Sequence, residues 1–80
     1  MTTYTAESRP ISGPPNARRV IATGDNETTV RHELTMYLIT STAGMASARQ
    51  KKYYAASNAI ADGVDGVEVE SRVYRIRKEG

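Results

Sequence analysis

The chain has only thirteen Val, Ile and Leu side chains from which to build a core, and it has no Phe, Trp or Cys. Any interior must therefore draw on ten Ala, three Met and five Tyr as well. The whole sequence is 80 residues, and a chain of that size buries only about 60% of its unfolded surface. One small domain is the most it can form. Without Cys there is no disulfide framework and no thiolate zinc site. No apolar run approaches the roughly 18 residues that a membrane span needs. The N-terminal residues lack the basic start and apolar stretch of a secretory leader, so a cytoplasmic location is the expectation.

Seven of the ten alanines lie between residues 43 and 61, and they dominate the clearest element. At 100° per residue Met45, Ala48, Ala55, Ala56, Ala59 and Ile60 share one face, with Ser47, Gln50, Lys51, Tyr54, Ser57 and Asn58 on the other. A helix over 41–63 follows, capped by Ser41 or Thr42 and ended by Gly63. Its buried face is mostly methyl groups and supplies little apolar area. Tyr53 borders that face, and Tyr54 points outward.

The rest of the chain reads as strands. Residues 1–16 are broken up by Pro10, Gly13, Pro14 and Pro15. They read as an extended N-terminal arm, with a short edge strand at Thr2–Glu7 as an option. Residues 17–23 form a short strand, and Gly24-Asp25-Asn26-Glu27 is a turn. From Val30 to Ile39 apolar and polar residues alternate, which favours a strand and makes a hairpin with 17–23. The same residues fit a helix, because Val30, Leu34, Tyr37 and Leu38 fall at i, i+4, i+7 and i+8. Residues 67–78 alternate too, but the apolar parity slips between Val73 and Tyr74, as a β-bulge near 71–74 would produce. The expected fold class is α+β: a small antiparallel β-sheet in β-β-α-β order with one Ala-rich helix on one face. Residues 1–16 are the arm and 17–80 the domain. The second sheet face is left for water or a partner.

Reactive chemistry is sparse. His32 is the lone histidine, and the position four residues on, where a zinc-protease helix repeats its His, is Met36. One His cannot complete a metal site. No glycine-rich phosphate loop and no nucleophile elbow occurs. Asn26-Glu27-Thr28 matches a glycosylation triplet and is better read as turn chemistry. No cofactor and no enzymatic activity are expected. Eleven Lys and Arg against nine Asp and Glu leave +2. The excess lies wholly in residues 41–80, interleaved with Asp62, Asp65, Glu68 and Glu70. That is a mixed surface rather than a one-sign stripe.

Two segments resemble the double-stranded RNA-binding domain. Ser12-Gly13-Pro14-Pro15-Asn16-Ala17-Arg18-Arg19 is similar to that family's Gly-Pro-x-His loop, with Asn16 where the family has His. Ser47 to Ile60 resembles its terminal helix, with Ala48 in place of the first Lys. The resemblance implies RNA-phosphate contacts at Arg49 and Lys52. In size and architecture the chain also resembles the small accessory proteins of phages and mobile elements, anti-CRISPR proteins among them. That likeness implies action by sticking to a host machine.

These observations favour a non-catalytic protein that binds a protein partner, a large nucleoprotein complex included, and blocks it by occlusion. The expected contact residues are Tyr37, Tyr54, Arg72, Tyr74, Arg75 and Arg77, because Tyr and Arg concentrate interface energy. A homodimer through the same surface is the natural companion expectation. The alternative is a nucleic-acid-binding module in which Arg49, Lys51, Lys52, Arg72, Arg75, Arg77 and Lys78 converge on phosphates. No membrane association is expected.

Overall fold

A computed structural model describes residues 2–14 and 17–80. Its elements run β1 (Thr3–Pro10), β2 (Arg19–Gly24), α1 (Glu27–Thr40), α2 (Ser47–Ala61), β3 (Val67–Val69) and β4 (Arg72–Glu79). The four strands form one antiparallel sheet in the order β2-β1-β4-β3. The fold is thus α+β with an antiparallel sheet, but the helical layer has two members and the element order is ββααββ.

The largest correction falls on residues 3–10. They are not an arm but an interior strand, paired along their whole length with β4 and on the other side with β2. Thr5, Ala6, Glu7 and Ser8 are all buried, as fits a strand with a neighbouring strand on each side. Pro10 ends the strand, and the Gly- and Pro-rich residues after it form the β1–β2 connection. The prolines therefore interrupt the chain only after eight residues have paired. Pro15 and Asn16 lie outside the described residues.

The second correction is α1. Residues 28–40 are helical, not a strand, so the turn at 24–27 leads into a helix rather than a hairpin. Asn26 is the deciding residue. Its side chain accepts a hydrogen bond from the Thr29 backbone N–H at 3.1 Å, and Glu27 adds an acidic group to the first turn. Val30, Leu34 and Leu38 then stack on one face and are almost completely buried. The helical reading of the ambiguous pattern wins because its i, i+4, i+8 set meets a sheet.

Ser41 and Thr42 do not cap a following helix. With Thr40 they turn back onto α1, their hydroxyls donating to the carbonyls of Tyr37 and Ile39. The second helix starts later than 41, at Ser47, after Gly44 at φ +80°. Its end behaves as the sequence implies. Gly63, at φ +92°, donates to Ile60 O, and Val64 donates to Ala59 O, a Schellman motif. The helices are stitched by Arg31 Nη1 to Ile60 O at 2.7 Å and Ser57 Oγ to Thr35 O at 3.3 Å.

The parity slip in the last segment also has a different cause. Glu70 and Ser71 sit at φ 49° and 69°, the two left-handed central residues of a tight hairpin turn, and no bulge is present there. Val69 pairs with Arg72 across it, so odd residues before the turn and even residues after it share a face. That face carries Ala6, Tyr74, Val67 and Val69 into one core with Val30, Leu34, Leu38, Tyr53, Ala56 and Ile60. A bulge does occur elsewhere, in the β1–β2 ladder, where Ile21 of β2 has no partner.

Of the aliphatics, Val30, Leu34, Leu38, Ile60, Val67 and Val69 are buried, and with so few each of these carries a large share of stability. Leu34→Ala should cost about 3 kcal/mol, against about 1 kcal/mol for Asn26→Ala at the helix cap. Urea unfolding midpoints of the two variants will rank them in that order.

Candidate functional site

The helices occupy one face of the sheet and leave the other open. On the open face, Thr3, Thr5, Glu7 and Arg9 of β1 lie opposite Glu79, Arg77, Arg75 and Val73 of β4. Its centre is Glu7, whose side chain is wholly shielded from solvent. Arg9 Nε donates to Glu7 Oε2 at 3.0 Å, and Arg18 Nε donates to the same oxygen. Arg77 Nε stands 3.4 Å from Oε1, an oxygen with no hydrogen-bond partner among the described residues. Each of these arginines keeps between a third and a half of its side chain in water.

This is an anion roofed by cations. Burial pushes the Glu7 carboxyl up, but hydrogen bonds and charge from Arg9 and Arg18 outweigh it and hold the group below its ordinary value. Three guanidinium groups share one carboxylate, and Arg75 is its cross-strand neighbour. Arginines therefore outnumber carboxylates around Glu7, while Glu68 and Glu79 sit at the margins of the face. Each guanidinium has five donors, and Arg9 and Arg18 each give one of theirs to Glu7.

The residues picked out from the sequence are distributed differently from the expectation. Arg75 and Arg77 are exposed on the open face. Tyr74 is not available for docking, since it is only 6% exposed and belongs to the core; burial raises its hydroxyl pKa. Tyr37 is half-buried on α1, its hydroxyl 3.4 Å from Arg19 Nη1. Arg72 is half-buried on the helix side of the sheet and bonded to Ser8 Oγ at 2.9 and 3.1 Å. Tyr54 is exposed, but on α2. The basic residues of the nucleic-acid alternative do not converge on one face. Arg49, Lys51 and Lys52 belong to α2, Lys78 pairs with Tyr4 on the helix side, and Arg75 and Arg77 face the opposite way.

Glu7, Arg9 and Arg18 escaped sequence reasoning because residues 1–16 read as an arm. The usable signal was Glu7 and Arg9 at a spacing of two, which puts them on one face once a strand is assumed.

A second polar cluster fixes the β3–β4 turn to α2. Arg49 donates to both Glu70 oxygens, at 2.8 and 2.7 Å, and the Tyr53 hydroxyl donates to one of them at 2.7 Å. The Arg49 hydrogen bond is the largest of the influences that hold the Glu70 pKa down to about 2. Burial is the main reason the Tyr53 hydroxyl is raised, reinforced by Glu70. The left-handed Glu70 backbone, which costs about 1 kcal/mol, is thus held by its own side chain.

Among the described residues, no group of three His, Cys, Asp or Glu is placed to hold a metal ion. Among the same residues no helix is long and apolar enough to cross a membrane. A cleft of about 220 Å³ between the start of α1, the end of α2 and β4 is lined by Glu27, Arg31, Asp65 and Arg75 among others. It is smaller than the roughly 300 Å³ at which ligand pockets begin. Compared with known protein families, curated proteins and solved structures, the chain matches none of them.

Each of the two carboxylates has a measurable consequence. The folded pKa of Glu70 lies below that of a free Glu, about 4.3. Its contribution is therefore complete above that value and is lost as pH falls toward 2. Melting temperatures between pH 6 and 2 should fall less steeply in Glu70→Gln than in the parent. Glu7→Gln, which leaves the arginines without their anion, should cost about 2 kcal/mol at neutral pH, read by denaturant titration.

Proposed function

We propose that the protein is a non-catalytic binding module that docks its open sheet face on an acidic patch of a protein partner and acts by covering that patch. The observation that carries this reading is the group of Arg9, Arg18 and Arg77 around the buried Glu7. Long cationic side chains usually lose rotamer freedom on binding, and prior ordering by an internal carboxylate lowers that cost. Arginine forks match carboxylates in geometry, and Arg is enriched in interfaces where Lys is depleted. Val20, 52% exposed beside Glu7 on β2, together with the exposed Thr3 and Thr23, supplies contact surface between the charges.

A protein partner is favoured over nucleic acid by what the face holds. Its described residues include no aromatic ring on which a base could stack. The lysines of α2 lie in the other layer, so a duplex would meet one short group of arginines and no second row.

Fluorescence anisotropy tests the choice, using a labelled Asp- and Glu-rich peptide and short RNA and DNA duplexes at about 50 and 200 mM salt. The acidic peptide should bind, and Arg77→Gln, which leaves Arg9 and Arg18 on Glu7, should weaken it about threefold or more, with circular dichroism confirming the fold. Duplex binding tighter than peptide binding, lost in the same variant, would transfer the face to nucleic acid.

A further inference from the structure

We propose a second docking site, separate from the arginine face: the groove between α2 and the edge strand β3, which takes an extended peptide as an added strand. The groove has a volume of about 380 Å³, within the range of ligand sites. One wall is a single helical stripe, Lys52, Ala55, Ala56 and Ala59, at i, i+3, i+4 and i+7. The other wall is β3 itself, Val67 to Val69, running on into Glu70. The alanines explain why the space exists. Ala56 reaches the core, but the methyl groups of Ala55 and Ala59 are too short to close the gap to the strand, and Ala55 remains exposed.

Backbone geometry says what shape fits. β3 is the outermost strand, with β4 on one side and no strand on the other. In a hairpin closed by two residues, the flanking pair Val69 and Arg72 is hydrogen-bonded, and so is Val67 with Tyr74. The intervening residue, Glu68, therefore turns its N–H and C=O outward along the free edge. An extended segment laid there pairs one residue with Glu68 and exchanges two hydrogen bonds with it.

Charge and parity then specify the sequence of the segment. Glu68 lies opposite Val73, so its side chain belongs to the open face. A residue paired with Glu68 shares that face and is favoured as Lys or Arg. Its two neighbours point the other way, beside Val67 and Val69, into the methyl-lined groove, and are favoured as small apolar residues. The site thus selects an apolar–basic–apolar strand. A second copy of this chain is a poor occupant, because two-fold pairing centred on β3 sets Glu68 against Glu68.

The test is selection of a random peptide library, displayed on phage, on the immobilised full chain, followed by titration of the synthesised hits. Hits should carry a basic residue flanked by apolar ones. Ala55→Arg, at an exposed helix position, plugs the groove and should weaken them at least tenfold, to about a hydrogen-bond pair's worth or more. Glu68→Pro removes only the outward N–H, which an edge strand tolerates, and should weaken them about two- to tenfold. Glu68→Lys should exchange the central basic residue for an acidic one. Arg77→Gln should leave the hits unaffected, so failure of the arginine-face reading is read separately. Circular dichroism confirms that each variant is folded. The proposal is overturned by an absence of hits, or by hits that ignore both Ala55→Arg and Glu68→Pro. Sedimentation of the chain as a dimer that Ala55→Arg dissociates also overturns it, in favour of self-association.

Discussion

The β1–β4 ladder is the interaction on which the other elements depend. It joins residues 3–10 to 72–79 along eight paired positions. Without it β2 has no route to the rest of the sheet, and β3 is left on an isolated hairpin. It also lays out both faces. One parity of this ladder gives the helices Ala6, Ser8, Tyr74 and Ile76, and the other assembles Glu7 with its arginines. The core and the candidate interface are two sides of one register.

A thin core explains why polar contacts hold so many of the joints. The helices meet through a guanidinium and a hydroxyl on backbone carbonyls, and the last turn meets α2 through a carboxylate. Hydrogen bonds of this kind contribute about 1 kcal/mol each, more where one partner is charged. That is comparable with burying an alanine or two. In a chain with thirteen Val, Ile and Leu, such contacts decide which of several loosely packed arrangements is kept.

What could be read from the sequence follows the same division. The Ala-rich helix and its glycine stop were legible because they are local, and so were β2 and the class of the fold. The core position of Tyr53 and the exposure of Tyr54 came from the same helical geometry. Residues 28–40 were ambiguous because apolar groups at 30, 34 and 38 satisfy two periods at once. The Asn26 cap is the tie-breaking signal, and an Asn after Gly-Asp fits a turn equally well. The strand at 3–10 was hidden by prolines that lie at or just beyond its end, and by partners some seventy residues away. Half of the arginine face is hidden with it: Arg77 is legible as an exposed cation, but Glu7, which gathers it with Arg9 and Arg18, is not.

The two outer strands differ in what they allow to join them. β2 is the longer edge, and its unpaired Ile21 distorts the ladder there, which spoils the flat template that another sheet needs. β3 is three residues long and turns one residue's backbone outward, with a carboxylate beside it. Neither edge can seed an ordered fibre by stacking identical chains. The sheet is open at both edges, and what opposes its extension by copies of itself is a bulge at one and a brief strand at the other rather than net charge.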